Sequence, residues 1–322
     1  MRSATGTQRL VLASCMKDEG PFILEHIAHH ISCGFTEIFI ASNPSDDGTR
    51  ELLSVLDHHG YINHFPVDPP HDAFPQTYSY EEMIPQIDLA SIDWLMLLDA
   101  DEYLNIHSPL GVIQELTRPL EADVDVISIN WACFGHYPEE IWRPGSSREM
   151  FRYRLRSFHS QNGTGKSLIR RPERFERFGN HGPSRFEKDR PVVVALHGGL
   201  NTIQIRDDHT LVKKLRYPGP GPHVHSLAQI NHYLIRTWDS YQLRVLRGRG
   251  MQIYGKPDLR HTANYFNISS RGRFLDESVL LYNKRKSPRA TKLLKTPDII
   301  AAHENCISIY ADKIRQLSYR ES

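Results

Sequence analysis

Short apolar runs alternate with longer amphipathic stretches along the first hundred residues. "RLVLASCM" (9–16) has the length of a strand. "GPFILEHIAHHISCG" follows, with Ile23, Ile27 and Ile31 at helical spacing, Pro21 near the start and Gly34 as the stop. "TEIFIAS" (36–42) predicts a second strand, "NPSDDGTRELLSVLDHHG" a loop and then a helix with Leu52, Leu53 and Leu56 inward, and "YINHFPV" a third strand. A Pro-rich loop leads to "DWLMLLDADEYL" (93–104), read as a fourth strand that runs from five apolar residues into Asp99, Asp101 and Glu102. Strands alternating with helices at this spacing predict an α/β fold, a mostly parallel sheet flanked by helices.

Further on, "DVDVISINWACFGH" and "PVVVALHGG" read as strands, and residues 135–225 otherwise as loops and short strands rich in Gly, Pro, Arg and His. "SLAQINHYLIRTWDSYQLRVLRGRG" is expected to open a helical tail, which "TPDIIAAHENCISIYADKIRQL" closes as an amphipathic helix. The sequence carries no internal repeat and no low-complexity linker.

At 322 residues with 39% hydrophobic positions, the chain has material for a large core. It lacks the run of about 18 apolar residues that predicts a membrane span. The apolar stretch at the N-terminus is too short for a signal peptide, and four scattered cysteines without a CxxC pair predict reduced thiols in a cytoplasmic protein. The net charge of +1 hides a division: residues 1–141 hold 5 Lys/Arg against 23 Asp/Glu, 142–190 hold 13 against 5, and 191–322 hold 21 against 10. Either the halves complement each other, or an acidic wall for a metal faces a basic wall for phosphate. The basic residues form no compact aromatic-interleaved motif, which argues against a nucleic-acid partner.

In a parallel α/β sheet, ligands collect beyond the carboxyl ends of the strands. "KDEG", "NPSDDG" and "DADE" fall at three such ends. Asp99 and Asp101, two apart in a continuing strand, would point to one side and offer hard oxygen ligands suited to Mg²⁺ or Mn²⁺. A metal held there would neutralise and orient a diphosphate. Solvated loop acids or a helix cap are the plainer alternative.

These segments resemble glycosyltransferases of the GT-A fold, family 2-like bacterial enzymes and the related family 92. The likeness rests on "MKDEGPFILEHIAHH", "NPSDDGTRELL" and "DADEYL". It continues through "WACFG" (131–135), "KSLIRRP" (166–172), "NHGPS" (180–184) and "INHYLIRTWDSYQLRVLRG" (230–248). The chain departs from the family pattern at Ser42, usually Asp, at Asp18, usually Asn, and at Arg244, often Lys. The resemblance implies one GT-A domain of two halves, 1–130 for the nucleotide sugar and 131–250 for acceptor and catalysis, with a helical extension over 251–322.

It also implies roles. Asp99 and Asp101 would face the nucleotide sugar, with Mn²⁺ or Mg²⁺ held by Asp99, Asp101 and His232. Asp18, Glu19, Asn43 and Asp47 would meet base and ribose, although each also suits a turn or cap. Lys166, Arg170, Arg171 and Arg244 would pair with the diphosphate, and His181 would line the cleft near the acceptor. Inverting transfer needs a general base. Glu139, Glu140, Glu149 and His181 are candidates, and Glu149, just ahead of "FRYR", is preferred.

The activity expected is metal-dependent inverting transfer from a nucleotide sugar, taken as a UDP-sugar, to a saccharide or glycoconjugate acceptor. The basic C-terminal third would suit peripheral contact with the inner face of a membrane. A Ca²⁺-dependent carbohydrate-binding protein and a zinc-dependent hydrolase are the alternatives. "SQNGTGKS" (160–167) is not read as a Walker A loop, because Ser160 stands where Gly is required and a proline follows where a helix should. His26 and His30 share a helix face but lack the Glu of HExxH.

Overall fold

The computed structural model describes residues 8–120, 123–253, 256 and 262–320. The strands are β1 (Leu10–Met16), β2 (Glu37–Ser42), β3 (Asn63–Pro66), β4 (Trp94–Leu97), β5 (Glu102–Ile106), β6 (Val126–Cys133), β7 (Tyr153–Arg154), β8 (Gly165–Arg170), β9 (Phe175–Gly179), β10 (Gly182–Phe186), β11 (Val192–Leu196), β12 (Asn201–Ile205), β13 (Ala228–His232) and β14 (Phe274–Leu275). The helices are α1 (Gly20–Ser32), α2 (Thr49–His58), α3 (Pro75–Met83), α4 (Ile113–Thr117), α5 (Ser147–Met150), α6 (Asp208–Arg216), α7 (Trp238–Arg247), α8 (Ala263–Ser269), α9 (Leu281–Lys284), α10 (Pro288–Leu293) and α11 (Pro297–Arg320).

β3, β2, β1 and β4 lie side by side and parallel, as the alternating pattern predicts. β8 enters antiparallel between β4 and β6. The far edge of β6 is shared, by β11 along its first half and by β13, itself paired with β5, along its second. Successive residues of β1 point to opposite faces. Leu10 and Leu12 pack with Ile23, Ile27 and Leu52 of α1 and α2, while Val11 and Ala13 pack with Tyr80 and Met83 of α3 and Leu211 of α6. Both faces are covered, which is why the central strands read as continuous apolar runs.

Three expectations change, and the C-terminal extension finds its place. The fourth strand breaks in two: β4 stops at Leu97, and Leu98–Asp101 turn the chain into β5. Residues 228–232 form β13 instead of opening a helix, which starts only at Trp238, so His232 stands on a strand and Arg244 on α7. The loops after β3 and β12 contain α3 and α6. The C-terminal extension joins the main core, since Ala290, Leu293, Ile299 and Cys306 pack with α1 and α2.

Two glycines allow that close approach. A Cβ on Gly20 would lie 2.7 Å from Cys306 Cβ, and one on Gly48, where φ is +83°, would lie 2.9 Å from Cys306 Sγ. The α1 histidines tie the helix to β5: His29 Nε2 lies 2.7 Å from the Leu104 carbonyl oxygen, and the Leu104 amide donates to His30 Nε2 at 3.3 Å. Among the described residues, no helix is long and apolar enough to cross a membrane.

Candidate active site

The site begins where β4 ends. The Glu102 amide donates to the Asp99 carbonyl oxygen at 3.0 Å, and the Asp99 amide donates to Glu102 Oε2 at 2.8 Å, closing a tight turn. The β5–β13 register pairs Glu102 with His232, and the Tyr233 amide donates to the Asp101 carbonyl oxygen at 2.9 Å. Because the chain reverses here, Asp99 and Asp101 do not share partners as they would in one strand.

Asp99 faces the β8 side. Its Oδ1 accepts from Gln76 Nε2 at 2.5 Å and its Oδ2 lies 3.3 Å from Lys166 Nζ. The same ammonium reaches Glu102 Oε2 at 2.9 Å and Asn180 Oδ1 at 2.5 Å. Lys166 and Glu102 are both fully buried. Burial would lower the Lys166 pKa, but Asp99 and Glu102 outweigh it and raise it. Burial pushes the Glu102 carboxyl up to about 7 against the pull of Lys166, and the nearby Asp99 charge adds to the rise.

Asp101 faces α7 and β13. Arg244 Nη1 donates to its Oδ2 at 2.5 Å, and His232 Nε2 lies 3.5 Å from the same oxygen. Burial would raise the Asp101 pKa, but Arg244 and His232 hold it well below the usual carboxylate range. His232 packs edge-on to Trp131, with ring centroids 4.3 Å apart, and its Nδ1 is buried without a partner.

A cleft of about 400 Å³ opens over these groups. Glu19, Asn43, Asp99, Asp101, His181, His232 and Arg244 all line it. Glu19 is held by Arg247 and by Arg236, whose Nη1 is 3.2 Å from Glu19 Oε2; burial opposes them, yet its pKa is lowered. Asn43 donates to Ser79 Oγ at 2.8 Å. Asp18 and Asp47 line an adjoining cavity instead. Asp47 accepts from the Gly20 and Thr49 amides at 2.9 and 3.0 Å, a bracket between the first two strand-end loops.

His181 Nδ1 lies 3.0 Å from the Gly165 carbonyl oxygen, an acceptor that places the ring proton on Nδ1 and leaves the Nε2 lone pair available. Burial, and then Lys166, push this imidazole down to about 4, so it is neutral at physiological pH.

Four expected residues lie elsewhere. Arg170 pairs in register with Trp94, the first residue of β4, and so sits at the end of β8 opposite Lys166. Its neighbour Arg171 reaches Asp125 at 3.4 Å, so neither meets a diphosphate in the cleft. Glu149 lines a separate cavity of about 300 Å³ beside α1, and its Oε1 accepts from Asn283 Nδ2 at 2.7 Å. Glu139 is paired with Arg143 at 2.9 Å, also away from the cleft lining. Sequence reasoning missed Gln76, Asn180, Trp131 and Arg247. Neutral amides in a Pro- or Gly-rich stretch carry no pattern of their own, although Asn180 adjoins the flagged His181.

The family model for glycosyltransferase family 92 matches residues 12–242. The chain belongs to that family. The matched span holds the acidic turn, Lys166, His181 and His232, with Arg244 and Arg247 just beyond it. Membership in an enzyme family sets aside the carbohydrate-binding and zinc-hydrolase alternatives. No curated protein matches the chain.

Solved structures similar to it include S. aureus TarS, at 13% identity over 96% of this chain and 55% of that one, TM-score 0.38. TarS 1–349 in complex with UDP is 11% identical over 51% and 47% of the two chains, TM-score 0.35. A cytidylyltransferase from Leptospira borgpetersenii serovar Hardjo-bovis is 12% identical over 52% and 62%, TM-score 0.27. The chain spans about half the length of the first two. At these TM-scores the likenesses bear on nothing further here.

Proposed function

We propose that this family 92 enzyme transfers a sugar from a UDP-sugar to a saccharide or glycoconjugate acceptor, with inversion at the transferred carbon. One observation carries the reading: the acidic turn after β4 meets His232 and Arg244 in a single cleft at the carboxyl ends of β1, β2 and β4, while Lys166, expected at the diphosphate, is buried behind the turn and braces Asp99 and Glu102.

The nucleoside would lie across the ends of β1 and β2, where Cys15 and Asn43 line the cleft, beside Gln76 of α3. Its diphosphate would meet the guanidinium groups of Arg244 and Arg247, which suit paired phosphate oxygens. The acceptor hydroxyl would hand its proton to His181 Nε2 as its oxygen bonds to the sugar carbon and the bond from that carbon to diphosphate breaks. Protonating His181 creates charge near the departing diphosphate, whose anion raises the imidazole pKa when it is needed.

Among the described residues, no cluster of three His, Cys, Asp or Glu side chains could hold a metal ion. Asp101 and His232 nevertheless converge, with Oδ2 and Nε2 3.5 Å apart. A carboxylate and an imidazole suffice for Mn²⁺ or Mg²⁺ when substrate phosphates complete the shell. Such an ion would neutralise the leaving diphosphate, and Arg244 would then release Oδ2. Asp99, held by Gln76 and Lys166, is the less suited donor.

The test is titration calorimetry of UDP into the protein with Mn²⁺ and then with EDTA, alongside Asp101→Ala. Binding that the variant loses supports the reading. Failure of UDP to bind under either condition overturns the UDP-sugar donor, and equal binding with EDTA overturns the metal.

A further inference from the structure

Beside the cleft lies a second cavity of about 510 Å³. Lys17, Glu19, Arg244 and Arg247 form a wall common to both. The second cavity is not lined by Asp99, Asp101 or His232; Asp18, Asp46 and Asp47 line its loop side opposite the arginines, and its outer wall is α11, through Tyr310, Lys313 and Gln316.

Arg236 faces this space from the short segment between β13 and α7. Its φ of +49° places the backbone in the left-handed region, which non-glycine residues rarely adopt. The side chain is only 8% exposed, and its Cζ lies 3.4 Å from the centroid of the Phe22 ring. Nη1 is engaged with Glu19, but Nε and Nη2 have no hydrogen-bond partner. Arg244 Nε, on the same cavity, is also without one. A guanidinium has five N–H donors and no acceptor, and leaving buried donors unpaired is costly. Glu19 cannot satisfy them, because it is shared between Arg236 and Arg247.

We propose that this cavity is an oxyanion site keyed by Arg236, which takes a phosphate or carboxylate group carried by the acceptor. The inference rests on the transferase reading. The proposed diphosphate position, on the cleft side of Arg244 and Arg247 with Asp101 and His232, lies across that shared wall from Arg236. A small turn of the Arg236 side chain would bring its sealed Nε and Nη2 donors to an anion in the cavity, while Phe22, Leu243 and Tyr310 offer an apolar surface for the body that carries it. Two anchors, one on each side of the Arg244–Arg247 wall, would fix an acceptor's orientation as well as its presence.

The test titrates inorganic phosphate and, separately, glucuronate into the full chain, free and in the presence of saturating UDP. Arg236→Gln removes the key, and Gln316→Trp fills the cavity from an exposed position of α11 outside the cleft. The expected result is that at least one anion binds with the same affinity whether or not UDP is present. Both variants should weaken it at least tenfold, while Gln316→Trp keeps UDP binding within about twofold. Which anion binds identifies the group recognised.

Mutual exclusion of the anion and UDP would mean that Arg236 reads the donor diphosphate, and the proposal falls. It falls equally if neither anion binds or if both variants bind as the parent does. Anion binding that the variants lose, in a protein that never binds UDP, would overturn the donor reading and leave the oxyanion site standing.

Discussion

Arg244 Nη1 rests 2.5 Å from Asp101 Oδ2, so the second acid of the turn is met in this structure by a guanidinium on α7. The Asp101 side chain is only 4% exposed, and removing its partner would leave a buried charge unmatched. Arg244→Ala should lower stability by about 3–5 kcal/mol, the usual penalty for breaking a buried pair. Urea unfolding measures it. Asp101→Asn combined with Arg244→Ala should recover part of the loss, and no recovery would mean that the two side chains are not energetically linked.

Lys166 makes a stronger case of the same kind, being fully buried between Asp99 and Glu102. Lys166→Met should abolish soluble expression or lower the melting temperature sharply. Adding Glu102→Gln should restore part of it, since burial already pushes Glu102 up to about 7. A single Lys166→Met variant with parental stability would remove the buried-pair account.

His181 is the acceptor-side base in the proposed reaction. His181→Ala should reduce kcat by about 10²–10⁴-fold, the range for losing a positioned base. UDP affinity should stay within about twofold. Unchanged turnover would transfer the role to another cleft residue.

Glu149→Gln should leave turnover unaltered, because Glu149 lies on the other cavity and bonds Asn283. A large fall in kcat with normal stability would reinstate it.

Acid should destabilise the fold. Burial pushes His26, His181 and His225 down to about 4, and His29 and His30 well below their ordinary value. Between about pH 4 and 6.5 the unfolded chain therefore binds protons that these folded imidazoles refuse, so stability present above pH 6.5 is lost as pH falls. Glu102 acts in the opposite sense. Its folded form keeps a proton up to about 7, while the unfolded carboxyl loses it near 4.5, so its contribution weakens as pH rises through that interval. Asp18, pushed by burial up to about 6, and Asp47 act with Glu102, but His64, His107, His159 and His197 are also lowered by burial, so the imidazoles outweigh the raised carboxyls and the urea midpoint at pH 5 should lie below that at pH 7.5. Glu102→Gln should widen the gap.

The elements from β1 to β3 are legible in the sequence because each apolar run is short, differs in period from the next and is punctuated by Pro21, Gly34 or Gly60. The turn after β4 is not. Apolar residues flank the acids on both sides, as "LMLL" and "YL", and that pattern cannot distinguish a continuing strand from a reversal. Lys166 and Arg170 look equivalent in sequence, and only the antiparallel register of β8 against β4 sends them to opposite ends. The acids at the heart of the site announce themselves by their charge. Gln76, brought in by an unforeseen helix, does not.

Cys306 sits against Gly20 and Gly48 with no side chain between, so α11 acts as a gauge block for the two loops that bear Asp18 and Asp47. Those loops keep their separation only while the helix keeps its seat. Enlarging residue 20 or 48 would thus be felt as a shift in the walls of the second cavity. The last helix of the chain, remote in sequence from every acid of the turn, is one of the parts that set the dimensions of the site.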